Sequence, residues 1–404
     1  MKDIFCQDGA VRALQRAIGS GRVAGSYIFA GPEGVGKFTT AREWGRVLLC
    51  EQNTREETGE RRQEKKKRGQ APFLEACGQC ESCRAFEAGG HPDFQHIYKE
   101  LLEFTEEGKG KTTPVALPID VVREFLIAKV AQTPVVSSRK VFVVSEAEKL
   151  QGPAQNAMLK TLEEPPGDSH IILLCTRLDK LLPTTLSRCQ VVKFGPISEE
   201  KIVEKLGQRG VDEAKARYWA RYTDGSLGRA IWWAGLQIGE QACYAIKRQL
   251  VAKVANLELA QSVELAAWIS DVGKAVVDAW EDQTEEKVNR SDMGRAAAKG
   301  LIYMVATVFA DAMKVSERGD GRQETGDRMR SREENVLVNE DQQEEIEKMA
   351  GRYDAERCAE VVAEAYKAMN WIEANVNEKL VLEDLLLGIG GCGTILLSAM
   401  SRQP

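Results

Sequence analysis

The chain reads as an α/β protein: a doubly wound parallel sheet followed by a long all-α region. Three short apolar runs point to the sheet: SYIFAG at 26–31, KVFVV at 140–144 and HIILLC at 170–175, each separated from the next by segments of helical period. Parallel strands need such crossovers, whereas antiparallel strands can be joined by tight turns. From about Ser198 onward, strand signals fade into patterns rich in Ala, Glu, Leu and Lys that run to the end of the chain. At 404 residues, two or three domains are expected rather than one core.

Within residues 9–19, Val11, Leu14 and Ile18 share one helical face, and the glycine closing SYIFAG demands a turn into a second helix. Asp120 is placed to cap a helix carrying Val122, Phe125, Leu126 and Val130, closed off by Thr133-Pro134. Between the second and third strands, NAMLKTLEE forms a helix that stops at Pro165-Pro166. Residues 51–72 and 315–334 are charge-dense and nearly free of large apolar side chains, so neither offsets its ordering entropy. They are expected as disordered insertions at about 51–76 and 315–340. The KKKR run in the first is interleaved with glutamates and reads as a solvated loop. The resulting plan is a sheet domain at 1–197, a small helical segment at 198–239 and an all-α domain at 240–404.

An apolar fraction of 43% with 29% charged residues is that of a soluble protein with a sizeable core. A net charge of −6 argues against strong independent binding to nucleic acid, which needs clustered Lys and Arg. DNA contact would be shared with partners. The start of the chain lacks a signal-type apolar core, and no run reaches the length of a membrane span. The glycine-punctuated tail Leu385 to Met400 comes closest and fits a core helix better. A cytoplasmic protein with no membrane association is expected, and its ten cysteines should then be reduced thiols or metal ligands.

The segment Gly31-Pro32-Glu33-Gly34-Val35-Gly36-Lys37-Phe38 follows a strand and opens a helix, the setting a Walker A phosphate loop requires. Gly31, Gly34 and Gly36 let backbone N–H groups face an anion, the helix N-terminus favours negative charge, and Lys37 supplies a cation for phosphates. The next position should be Ser or Thr, whose hydroxyl binds Mg²⁺, and here it is Phe38. Thr39 lies one residue later, about 100° round the helix, away from that ligand position. The strand ending at Val144 should lead into an acidic pair, the first member supporting Mg²⁺ and the second positioning water. It leads instead into Ser145-Glu146, which leaves Glu146 as a residual base. Two losses converge on one ion, so the loop can hold phosphate while ATP with magnesium is expected to fit it poorly.

Cys77-x2-Cys80-x2-Cys83 has metal-ligand spacing, and Cys50 ends the helix after the phosphate loop. Four thiolates would complete a closed, structural zinc site. The intervening insertion is no obstacle, because loop-closure entropy grows only logarithmically. His91, His96 and His170 sit in no nucleophile motif and are expected to be structural.

Taken in order, the phosphate loop, the cysteine knuckle, His91-Pro92-Asp93, AMLKTLEEPP and Leu186-Ser187-Arg188-Cys189 resemble the AAA+ clamp-loader subunits of bacterial DNA polymerase III, of gamma/tau and delta-prime type. The resemblance covers about residues 1–235. It implies an AAA+ core, a helical lid and an all-α collar. It also implies that Arg188 is an arginine finger serving a neighbouring subunit's ATP, an effect worth about 10³–10⁵ in rate. It places Thr176 at the sensor 1 position and Arg229, within Gly225-Ser226-Leu227-Gly228-Arg229, near sensor 2, where an inserted glycine departs from the gamma pattern. The segment 375–383 is similar to the last collar helix of delta-prime subunits. The partners implied are gamma/tau and delta in a hetero-oligomer and, indirectly, the sliding clamp and primer-template DNA. An active gamma/tau-type ATPase and a non-replicative AAA+ nucleotide-binding protein are the alternatives.

Overall fold

The computed structural model describes residues 1, 4–53, 75–106, 108, 115–284, 289–319 and 336–391. These divide into two compact units, residues 1–198 with 226–228, and residues 199–225 with the chain from 229 onward.

The first unit holds five strands, β1 (Ser26–Ala30), β2 (Phe94–Ile97), β3 (Lys140–Val144), β4 (Ser169–Cys175) and β5 (Gln190–Lys193). They pair in parallel in the order β2-β3-β4-β1-β5. Side chains alternate across a strand, so each central strand feeds two cores. Tyr27, Phe29, Val141, Val143, Ile172 and Leu174 face one side, against α1 (Asp8–Ser20) and α2 (Lys37–Leu49), whose Leu14, Trp44 and Leu48 are buried there. Ile28, Phe142, Val144, Ile171 and Leu173 face the other. That side is covered by a helix over residues 119–130, called α4, and by α5 (Gly152–Glu163). Between α2 and α4 in chain order, α3 (Glu81–Glu87) carries the last of the knuckle cysteines. A short helix α6 (Pro183–Leu186) leads into β5.

Some expectations shift. Asp120 is not the cap of α4: Pro118 holds that position, and Asp120 lies in the first turn opposite Arg123. Strands β2 and β5 were not foreseen, and both are sheet edges. The insertions are shorter than expected at their ends. Residues 51–53 are helical, with Asn53 buried and donating to the carbonyls of Val47 and Glu75. Residues 315–319 continue a helix, and 338–339 are tied by their N–H groups to the Asp311 carboxylate. Most of both insertions, 54–74 and 320–335, lies outside the described residues.

The second unit is helical apart from a minimal hairpin pairing Gln237–Ile238 with Gln241–Ala242, where helix alone was expected. Its helices are α7 (Glu199–Gly207), α8 (Glu213–Tyr222), α9 (Leu227–Gly235), α10 (Cys243–Ala255), α11 (Ser262–Gln283), α12 (Arg290–Gly319), α13 (Gln343–Arg352), α14 (Ala355–Glu373) and α15 (Glu378–Gly390). By length and composition α12 could cross a membrane, but 72% of its apolar window is buried inside the unit, as befits a core helix. Trp219 and Trp233 stack at 5.9 Å, and Gly300 on α12 is required beside them, because a Cβ there would fall 2.3 Å from the Trp233 ring. Lys247 is fully buried, its charge met by Asp341 at 2.6 Å and by the Tyr218 ring at 4.1 Å. Asn377 caps α15 by accepting from the N–H groups of Lys379 and Leu380.

Candidate functional site

The phosphate loop lies at the carboxyl end of β1, where ligands bind in doubly wound sheets. Gly31 is fixed by close approach, since a Cβ there would fall 2.3 Å from the Phe194 carbonyl oxygen. Gly34 and Gly36 take positive φ values of 71° and 96°, turning the backbone into the start of α2. The Gly228 N–H, which belongs to the same unit, donates to the Gly34 carbonyl at 2.8 Å. Lys37 is buried, and its ammonium donates to the carbonyls of Gly31 at 2.7 Å and Pro32 at 2.6 Å. Burial holds its pKa below the usual lysine value, opposed chiefly by the nearby charge of Glu148.

The magnesium positions carry no donor pair. Phe38 packs against His96, ring centroids 4.5 Å apart and planes tilted by 43°, and His96 Nε2 is 2.8 Å from Ser145 Oγ. Pairing of β2 with β3 brings His96 there: His96 is in register with Val143, and the Ser145 N–H donates to the Ile97 carbonyl. Burial lowers the His96 pKa to about 4, so the ring is neutral at pH 7. A phenyl ring, a neutral hydroxyl and an imidazole committed to that hydroxyl are not the oxygen-rich shell that Mg²⁺ demands. The residues present do not fit the ion.

Thr39 is exposed, and it is the Thr40 hydroxyl that folds back, onto the Gly36 carbonyl. Glu146 adopts a left-handed backbone (φ 52°) and pairs with Lys99 at 3.4 Å and with Lys149. Two residues on, Glu148 accepts from the Thr176 hydroxyl at 2.5 Å. In the sequence Glu148 draws no role and His96 is expected only to be structural. Glu148 offered a signal, being an acid one short turn beyond the broken pair; His96 offered none without β2.

Arg188 follows α6 and is held by Glu163 Oε2 at 2.9 Å and the Thr184 carbonyl at 2.9 Å, with 30% of its side chain exposed. Burial raises the neighbouring Cys189 thiol to about 12, so it stays protonated. Arg229 lies in the second unit on α9, its charge near the hydroxyls of Tyr222 and Tyr303.

The sulfur atoms of Cys50, Cys77, Cys80 and Cys83 lie within 4.8 Å of one another. Tetrahedral zinc–thiolate bonds of about 2.3 Å place sulfurs about 3.8 Å apart, and Cys77 and Cys83 stand at 3.9 Å. Backbone N–H groups of Cys77, Cys80 and Cys83 point at sulfurs at 3.3 to 3.4 Å, which suits thiolate acceptors. This cluster can hold a zinc ion. His91 and Asp93 brace it. The Asp93 N–H donates to His91 Nδ1, leaving Nε2 to donate to Ser82 Oγ at 2.9 Å, and Ser82 donates to the Leu49 carbonyl. The fully buried Asp93 carboxylate collects the N–H groups of Val135, Val136 and Ser137.

A phosphate loop at the carboxyl end of β1, in a parallel five-stranded sheet covered by helices on both faces, is the core of a P-loop AAA+ protein. Residues 6–198 match the family described as DNA polymerase III, delta subunit. Over that region the chain is similar to the clamp-loader AAA+ subunits of DNA polymerase III. It is 33% identical over 171 residues to the DNA polymerase III subunit delta' of Pseudomonas aeruginosa, covering 42% of this chain and 43% of that one. It is 25% identical over 218 residues to the corresponding subunit of Bacillus subtilis, covering 54% and 56%. The matches thus span about half the length of these relatives. Among solved structures, a gamma-subunit-related protein of DNA polymerase III from Thermotoga maritima overlays with a TM-score of 0.36 at 16% identity, covering 94% of this chain and 98% of that one.

Proposed function

We propose that the chain is a delta-prime-like subunit of a bacterial DNA polymerase III clamp loader: a non-hydrolysing stator that donates Arg188 to the ATP site of a neighbouring subunit. One contrast carries the reading. Its own phosphate loop lacks both magnesium donors, at Phe38 and Ser145, while Ser187-Arg188-Cys189, which has no use in its own site, is intact. A guanidinium held, among the described residues, by an exchangeable carboxylate and a carbonyl could be re-aimed at phosphate on assembly. Gamma/tau and delta would be its partners in a cytoplasmic hetero-oligomer, with the clamp and primer-template DNA engaged through the complex. Lys37, the loop glycines, Thr39 and Thr176 are the groups of the first unit that would surround a nucleotide, and the four cysteines would hold structural zinc. The test is Arg188→Ala in a reconstituted loader with clamp and primed DNA. Assembly is retained, and hydrolysis at the site that Arg188 serves slows by about 10³-fold or more. Unchanged hydrolysis removes Arg188 from this role. Robust turnover by the isolated chain, abolished by Lys37→Ala, makes it instead an ATPase subunit of gamma type.

A further inference from the structure

The groups that would greet a terminal phosphate are already engaged within the protein. Lys37 spends two ammonium hydrogens on the Gly31 and Pro32 carbonyls. Thr176 donates to Glu148 Oε1 at 2.5 Å. These two arrangements are adjacent, because the Gly31 N–H donates to the carbonyl of Cys175, the residue before Thr176. The other Glu148 oxygen is closed to solvent and has no hydrogen-bond partner among the described residues. Glu148 is also the largest opposing charge acting on Lys37, ahead of the exposed Glu33.

We propose that Glu148 is a built-in anion that keeps the phosphate loop closed to nucleotide, and that nucleotide admitted by removing its charge binds without magnesium. An incoming phosphate would have to take the Thr176 hydroxyl from a carboxylate while sitting beside that carboxylate, and like charges at such range exclude one another. The second half follows from Phe38, His96 and Ser145, which put at the metal positions a phenyl ring, an imidazole and one hydroxyl already paired with that imidazole, not the oxygen-rich shell of Mg²⁺. The inference rests on the stator reading only in treating residues 31–38 as a phosphate loop.

The experiment uses the isolated full chain, titrated with a fluorescent ADP analogue in EDTA and again in Mg²⁺. The wild type shows no saturable binding. Glu148→Gln, which keeps the shape and a hydrogen-bonding group, tightens binding by at least about tenfold. Adding Lys37→Ala to Glu148→Gln abolishes the gain, and Mg²⁺ leaves the affinity unchanged. Wild-type binding as tight as that of the variant, or no gain in a Glu148→Gln protein with a native melting transition, overturns the lock. Tightening by Mg²⁺ overturns the metal-free half. If Glu148→Gln fails to fold, Glu148→Ala removes the same charge and is read in the same way. Neither Arg188 nor a partner enters this measurement, so its failure and that of the stator reading are separable.

Discussion

The two ends of α2 make opposite use of the same kind of pattern. At its start, the loop ending in Gly36 leads to positions where a metal is expected, and a phenyl ring, an imidazole and a hydroxyl occupy them. At its end, Cys50 joins three more thiols in a cluster with all the donors a zinc ion requires. The ends are separated by the 13 residues of α2, about 20 Å of helix. A scaffold can therefore be held rigid at a metal site of structural kind while a catalytic one is packed shut with side chains. What survives is the part that shapes the domain.

Zinc removal gives the largest expected effect. Stripping it with a strong chelator, or Cys83→Ser, lowers stability by at least about 3 kcal/mol, because metal-binding energy is folding energy. Elemental analysis of freshly reduced protein gives one zinc per chain, and an unchanged melting temperature after chelation would erase the contrast between the two ends. Next is the pH dependence contributed by His96. Its pKa is near 6.5 unfolded and about 4 folded, so the unfolded chain binds the extra proton between those values. The stability it preserves is complete above about pH 6.5 and falls as pH drops toward 4, by about 3 kcal/mol. His96→Gln should flatten that part of the profile of urea midpoints; an identical profile would mean that the ring is not held neutral against Ser145. The smallest is Phe38→Ala, costing about 1 kcal/mol, since only a partly exposed ring packed against His96 is lost. A cost of several kcal/mol, measured by chemical denaturation, would show that Phe38 belongs to the core rather than to the filled metal position.

The central sheet was legible because β1, β3 and β4 are buried on both faces and read as unbroken apolar runs. The edges were not. Phe94–Ile97 reads FQHI and Gln190–Lys193 reads QVVK, since an edge strand carries polar side chains that blur its signal. Losing β2 also hid His96, whose place beside Ser145 depends on strand register and on nothing in its own neighbourhood of sequence. Lys37 and the four cysteines were legible because their spacing is itself the chemistry. Glu148 became visible only once the left-handed turn at Glu146 had directed the expected acid toward Lys99 and left the next one facing Thr176.

The Arg188–Glu163 pair has a thermodynamic corollary. A guanidinium that already owns a counter-ion does not gain a whole charge pair on reaching a phosphate; it swaps one anion for another, and only the difference drives the swap. Were Arg188 to act in trans as proposed, the affinity between subunits and the nucleotide state of the neighbour would be coupled through a modest free energy rather than a large one. That would be the condition for an assembly that must release its grip as readily as it forms it.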